Sequence, residues 1–404
     1  MNNKNKKTLF IDKWLFNLID NHLFEIGVFL LIVISVIIRI FFTPITDCSA
    51  DYDTYYKTWT QTYKEIGIMK GLSQTIGDYY VPLNLVYALA ALTPWEPYVA
   101  ISAFSCIFEY IGAFFVYKLF AFLYPSVEKK IVILSSILCL FLPAMMFNSS
   151  LWKQCDSIYV CFLIISLYYM VKDKASRAFI FLGIAFSIKL QAIFLIPLYL
   201  IIYIAKKSYS ILQFLWLPLI FLIAGIPCII AGRGIRATYF TYFAQMGEGT
   251  SECYGMVSNF PNIYNFGLDN YYDQLHVVAV LVVLAIMITS AIFCKANKDK
   301  LISNNGLLVY MGLWLIWTML MFMPGMHERY DYFLVMIFTA YAVIVRRKMV
   351  LIAVILNVIN IITYANAIFT SDIISIAAIS IIYIAAYLFV TADLFGNCFK
   401  LKKE

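Results

Sequence analysis

The chain has 404 residues, 63% of them hydrophobic and 13% charged, with a formal net charge of +7 and a mean hydropathy of +0.84. It is too apolar and too long to fold as one soluble core, so the composition excludes soluble classes and points to a bilayer. Nine scattered cysteines, odd in number and without a C-x-x-C pair, imply neither a disulfide framework nor a zinc site.

The first segment, "MNNKNKK" followed by the amphipathic "LFIDKWLFNLIDNHLF", leads into an apolar run longer than the 7 to 15 or so residues of a signal-peptide core. It reads as an uncleaved anchor. A spanning helix needs about 20 apolar residues. Twelve spans are predicted, near 24–42, 98–122, 130–147, 156–171, 177–192, 193–205, 210–231, 276–294, 304–323, 331–345, 349–364 and 373–394. The runs do not show the period-2 alternation of a membrane β-barrel, and helices satisfy their own backbone groups in lipid. The fold class expected is therefore an all-α polytopic membrane protein. "VPLNLVYALAALTP" is too short to cross and reads as an interfacial helix. The run from Phe179 to Ala205 is divided at "LQAIFLIP". With no internal repeat, linker or low-complexity segment, one membrane domain over 1–404 is the simplest organisation.

Short Lys/Arg clusters occupy alternate connections: Lys4, Lys6 and Lys7; Lys129 and Lys130; Lys172, Lys174 and Arg177; Lys206 and Lys207; Lys295, Lys298 and Lys300; Arg346, Arg347 and Lys348; and Lys400, Lys402 and Lys403. The positive-inside rule makes these cytoplasmic, with both termini inside. The net charge is thus explained by orientation, and no nucleic-acid partner is expected. Usage rich in Lys, Asn and Ile fits a bacterium with an AT-rich genome, hence a plasma membrane.

The remaining polar segments then fall on the extracytoplasmic side: residues 43–97, 148–157, the long loop 232–275 and 324–332. In "TDCSADYDTYYKTW", Asp51 and Asp53 form a D-x-D beside aromatic residues, and "GDYYVPL" adds Asp78. A carboxylate next to a hydroxyl substrate can act as general base, and a D-x-D can hold Mg2+ or Mn2+. Solvated loop acids with an interfacial tyrosine belt give the same pattern. "WKQCDS" places Gln154 and Asp156 at a helix start, where Asp156 also fits an N-cap. Lys189 sits among apolar residues near the outer end of its span, either as a functional or ion-paired cation or as one that snorkels outward. Arg233 and Arg236 in the long loop are candidates for an anionic ligand, whereas Glu248 and Glu252 can serve the loop's own folding. "PGMHERYDY" packs His327, Glu328 and Arg329 together, as donors to phosphate oxygens or as an ordinary charged turn.

The order "ADYDTYYKTW", "GDYYVPL", "SLWKQCDS", "SIKLQ", "MHERY" resembles the GT-C glycosyltransferases over residues 24 to about 345. It is most similar to bacterial relatives of the GPI mannosyltransferase that adds the second mannose. More distantly it resembles the N-glycan-pathway enzymes that use dolichyl-phosphate glucose. The resemblance implies a GT-C-like enzyme that uses a polyprenyl-phosphate sugar as donor and a glycan or glycolipid as acceptor, among membrane lipids, on the extracytoplasmic face. Asp51 takes the place of the family's catalytic aspartate, Asp53 that of an acidic neighbour, and His327 and Glu328 that of the late "HE" near the lipid phosphate. Asp78 matches the acid before the family's "PP", which here reads Val81 Pro82.

The mechanism implied is an inverting displacement with Asp51 as base. The leaving phosphate would be compensated by Arg329, His327, Lys189 or Arg233, without an obligatory metal. A lipid-linked glycan flippase or other transporter and a polysaccharide polymerase are the rival classes. The first should show repeat symmetry between its halves and charges near the bilayer midplane on several helices, and "DYD" directly after the first span disfavours the second.

Overall fold

The computed structural model describes residues 9–77, 79–241, 255–369 and 373–399. Asp78, Glu248 and Glu252 lie outside the described residues. The chain is almost wholly helical. In order, α1 is Phe10–Phe42, α2 Lys57–Ile66, α3 Ile68–Ser73, α4 Val81–Ala91, α5 Pro97–Leu123 and α6 Lys129–Cys139. Then follow α7 Pro143–Met146, α8 Asp156–Val171, α9 Ala175–Ile188, α10 Ile196–Lys206, α11 Trp216–Ile230 and α12 Ile235–Tyr239. The last third is α13 Tyr272–Ala296, α14 Lys298–Ser303, α15 Asn305–Phe322, α16 Tyr332–Ile344, α17 Val350–Phe369 and α18 Ile376–Asp393. Two two-residue strands, β1 Val257–Ser258 and β2 Met326–His327, pair in parallel.

Among the described residues, seven helices are long and apolar enough to cross a membrane, or eight if the bent pair α6 and α7 is one span. This is an all-α polytopic membrane architecture. The twelve-span reading also requires the shorter helices α8, α9, α10 (with the 3-10 turn before it) and α16 to cross. At 16 residues α8 is about 24 Å long, less than the roughly 30 Å of hydrocarbon. α4, read as interfacial, has 11 residues and packs on protein, with Val81, Leu83, Tyr87 and Ala90 buried.

Burial sorts these helices by position. A helix that is apolar all round lies in a protein core or in lipid. For α15, 89% of its apolar window is buried inside the protein, against 11% for α1 and 22% for α13. α15, α16 and α8 therefore form the centre, and α1 and α13 face outward.

The α6–α7 span breaks at Leu140–Leu142 with a 49° bend. Pro143 sits at the start of α7, where its missing N–H removes no helical bond. α7 then widens into a π-turn over Phe147–Leu151. The run 179–205 breaks at Lys189, whose backbone is extended at φ −151° and ψ 135°, a few residues before the predicted division. The basic connections gather at one end. There Lys206 reaches Asn305 Oδ1 at 2.7 Å, and Arg346 grips Asp393 with two bonds of 2.7 Å. The polar ends of α8, α9 and α16 lie at the other.

Candidate active site

Four separate stretches converge there: the loop after α1, the segment joining α7 to α8, the end of α9, and the turn before α16. The first two are stitched together by backbone contacts. Ser49 Oγ donates to the Trp152 carbonyl at 2.7 Å and accepts from Tyr52 N at 3.2 Å. Gln154 N donates to the Asn148 carbonyl at 2.8 Å. Between them Lys153 has φ 61°, a left-handed conformation that costs a side-chain-bearing residue about 1–2 kcal/mol. Its buried ammonium offsets this by donating to the carbonyls of Ile45 (2.8 Å), Ser150 (2.6 Å) and Leu151 (3.1 Å). The reversal turns Gln154 toward Asp51.

Gln154 is oriented from both ends. Tyr56, stacked on Tyr87, donates its hydroxyl to Gln154 Oε1 at 3.1 Å. This leaves Gln154 Nε2 to donate to Asp51 Oδ2 at 2.5 Å. The same carboxylate oxygen faces Arg329 Nη1 at 3.8 Å. Both partners hold Oδ2, so Asp51 is anchored by one oxygen and presents the other from a side chain that is 34% exposed. Asp53 is exposed.

Asp156 does not cap α8. Cys155 is the N-cap, and the buried Asp156 carboxylate instead accepts from Asn148 Nδ2 at 2.9 Å, pairs with Lys189, and lies 3.5 Å from Arg329 Nε. The extended backbone at Lys189 brings its ammonium over, within cation–π range of Tyr159 and Tyr330.

Arg329 sits over Trp152 at 5.4 Å, with Nη1 between Asp51 and Glu328 at 3.8 and 3.5 Å. These separations exceed the roughly 2.7–2.9 Å of a closed charge-assisted bond. The guanidinium fork is therefore shared among three acids and closed on none. Glu328 is buried. Burial raises its pKa, but His327, whose Nδ1 lies 3.8 Å away, and Arg329 together hold it below the usual range. The β1–β2 pairing of Ser258 with His327 fixes this turn from outside.

The structure thus unites Asp51, Gln154, Asp156, Lys189, His327, Glu328 and Arg329. Arg233 is not among them. It donates to the carbonyls of Leu72 and Gln74 at the end of α3. Behind Gln154 lies a small cleft with room for about one water molecule, walled by Tyr56, Tyr79, Leu83 and Tyr87, with Gln154 and Lys189 as its charged or amide groups. Sequence reasoning did not single out Tyr56, Asn148 or Lys153. It also passed over Arg39 and Glu109, although an ionisable residue inside a predicted span is itself a signal.

Asn148 and the Asp156 carboxylate start one side of this cluster, and Asp51 closes the other. Fold and site together define a polytopic α-helical membrane protein with a charged, partly open site at one end of its helices. No protein-family model matches the chain, and no curated protein is similar enough to match.

Proposed function

We propose that the protein is an integral-membrane inverting glycosyltransferase of the GT-C type. It transfers a hexose from a polyprenyl-phosphate sugar to a glycan or glycolipid acceptor on the extracytoplasmic face of a bacterial plasma membrane. The observation that carries this reading is Asp51: anchored at Oδ2 by Gln154, partly exposed, and next to a cation whose fork is open. The free carboxylate oxygen takes the proton of the acceptor hydroxyl. The deprotonated acceptor oxygen then attacks the anomeric carbon, and the carbon–oxygen bond to phosphate breaks on the opposite face. The lipid phosphate leaves with the negative charge, which Arg329 and His327 are placed to meet.

Among the described residues, the basic connections assigned to the cytoplasm are only a few residues each, too short to fold a nucleotide-binding domain themselves. A polyprenyl chain, in contrast, lies naturally along the spans.

The test uses purified protein in proteoliposomes with a synthetic polyprenyl-phosphate hexose. Loss of the sugar from the lipid, with an inverted anomeric product and no requirement for added Mg2+ or Mn2+, is the expected result. Efficient transfer from a UDP- or GDP-sugar without any lipid carrier overturns the proposal. Abolition of activity by a chelator, restored by Mn2+, would instead assign a divalent cation to Asp51 and Asp53.

A further inference from the structure

The segment that presents Asn148 and Gln154 to the site is the far limb of a broken span, and a broken span leaves backbone groups without helical partners in a medium that offers none. One ion pair inside the membrane closes that gap. Arg39, near the end of α1, donates from Nε to Glu109 Oε2 of α5 at 2.6 Å, from Nη1 to the Ser35 carbonyl at 3.0 Å, and from Nη2 to the Leu140 carbonyl at 2.9 Å. Leu140 is the C-cap of α6, where the break begins. The other oxygen of Glu109 accepts from Ser149 Oγ at 2.5 Å, inside the π-turn beyond the break. The pair therefore grips the broken span on both sides of its bend. The side chains are 4% and 0% exposed.

We propose that Arg39 and Glu109 are positioning residues for the Asp51 site, bracing the bent span so that Asn148 reaches Asp156 and Gln154 reaches Asp51. The chain of contact is continuous: Glu109 to Ser149, Ser149 adjoining Asn148, Asn148 to Asp156 at 2.9 Å, and the Asn148 carbonyl to Gln154 N at 2.8 Å. Stability alone gives little reason for the pair, because well-packed apolar residues replacing a buried ion pair are often neutral or stabilising. Direction is what apolar residues cannot supply. An Arg fork and a carboxylate hold the two sides of the bend through one hydrogen bond each, to the Leu140 carbonyl and from Ser149 Oγ.

The activity readout rests on the glycosyltransferase reading, so the test pairs it with a distance readout that does not. With the nine native cysteines replaced, Asp51→Cys and Gln154→Cys report the site by the rate of disulfide crosslinking. Lys348→Cys and Asp393→Cys at the opposite end report the fold. Two further changes are introduced into each background: the double variant Arg39→Leu with Glu109→Leu, which removes both charges together, and Ser149→Ala, which cuts the link while leaving the ion pair intact. The expected result is crosslinking at 51–154 slowed about ten-fold or more in both, with crosslinking at 348–393 unchanged. On an otherwise native background, kcat with polyprenyl-phosphate hexose falls by about ten- to a hundred-fold while the donor KM stays within about two-fold, the pattern of a displaced reacting group. Native crosslinking and native kcat in Ser149→Ala overturn the proposal. Parallel loss at both cysteine pairs in Ser149→Ala also overturns it, because that would make the contact one of general stability. If no protein transfers sugar but the 51–154 rate still falls selectively, the brace stands and the glycosyltransferase reading fails.

Discussion

Asp51 and Asp53 are two positions apart and have opposite surroundings. On a helical turn, residues i and i+2 point to nearly opposite sides, and the turn after Asp51 directs that residue to Gln154 and Arg329 while Asp53 meets solvent. Asp51→Asn keeps the shape and removes the base, so turnover should fall on the order of a hundred- to ten-thousand-fold with donor binding nearly unchanged. Asp53→Asn should retain most activity. Full activity in both, measured as sugar release from the lipid donor, would remove Asp51 from the chemistry. Arg329 makes the complementary case, since its fork is open and stacked on Trp152. Arg329→Ala should weaken donor use by about 2–5 kcal/mol if the guanidinium contacts a desolvated phosphate. Lysine should rescue only partly, because it lacks the planar fork. Equal kcat/KM for Ala, Lys and the native residue would assign the phosphate to another group.

At the level of elements, irregular backbone marks the site: a π-turn at 147–151, a left-handed Lys153, an extended Lys189 and the turn before α16. Each interrupts a helix where a side chain must turn inward, which a continuous α-helix cannot arrange. The turn before α16 also carries a pH dependence. Glu328 is buried, yet its pKa is held below the usual range by His327 and Arg329. A carboxyl whose pKa falls on folding stabilises the fold above its unfolded value, about 4.3, and gives that up as pH falls through the folded value. Thermal unfolding in detergent should therefore show the native protein losing stability below about pH 4.3, and Glu328→Gln should flatten that acid limb. An unchanged acid limb in the variant would show that the carboxyl carries no such linkage.

Across the whole molecule, the basic connections and the candidate site lie at opposite poles. The Lys206–Asn305 and Arg346–Asp393 contacts tie down one end, while Asp51, Asp156, Lys189 and Arg329 gather at the other. In the orientation proposed from the positive-inside rule, the first pole is cytoplasmic. Single cysteines at Asp53 and Glu96 should then react with an impermeant maleimide on intact cells. Cysteines at Ser176 and Lys298 should react only after permeabilisation. All four side chains are exposed, so access and not burial decides the outcome. Labelling of the first pair only after permeabilisation would place the site on the cytoplasmic side.

The helical, membrane-embedded class was legible from the sequence, because hydropathy is a local property of 20-residue windows and lipid leaves the backbone few alternatives. The same logic located most span positions and the polar segments from which the site is drawn. It could not show that Lys189 turns back onto Asp156, because that depends on a break in the helix and on a partner 33 positions away. Nor could it separate Arg233 from Arg329, two arginines in polar stretches. One caps the carbonyls of α3, and the other opens its fork toward Asp51. Arg39 and Glu109, passed over in the sequence, gain their roles only where packing brings α1, α5 and the broken span into contact. Composition decides which solvent a segment prefers. Which charges meet is decided by long-range packing, where a group's partner and its desolvation are set by elements distant in sequence.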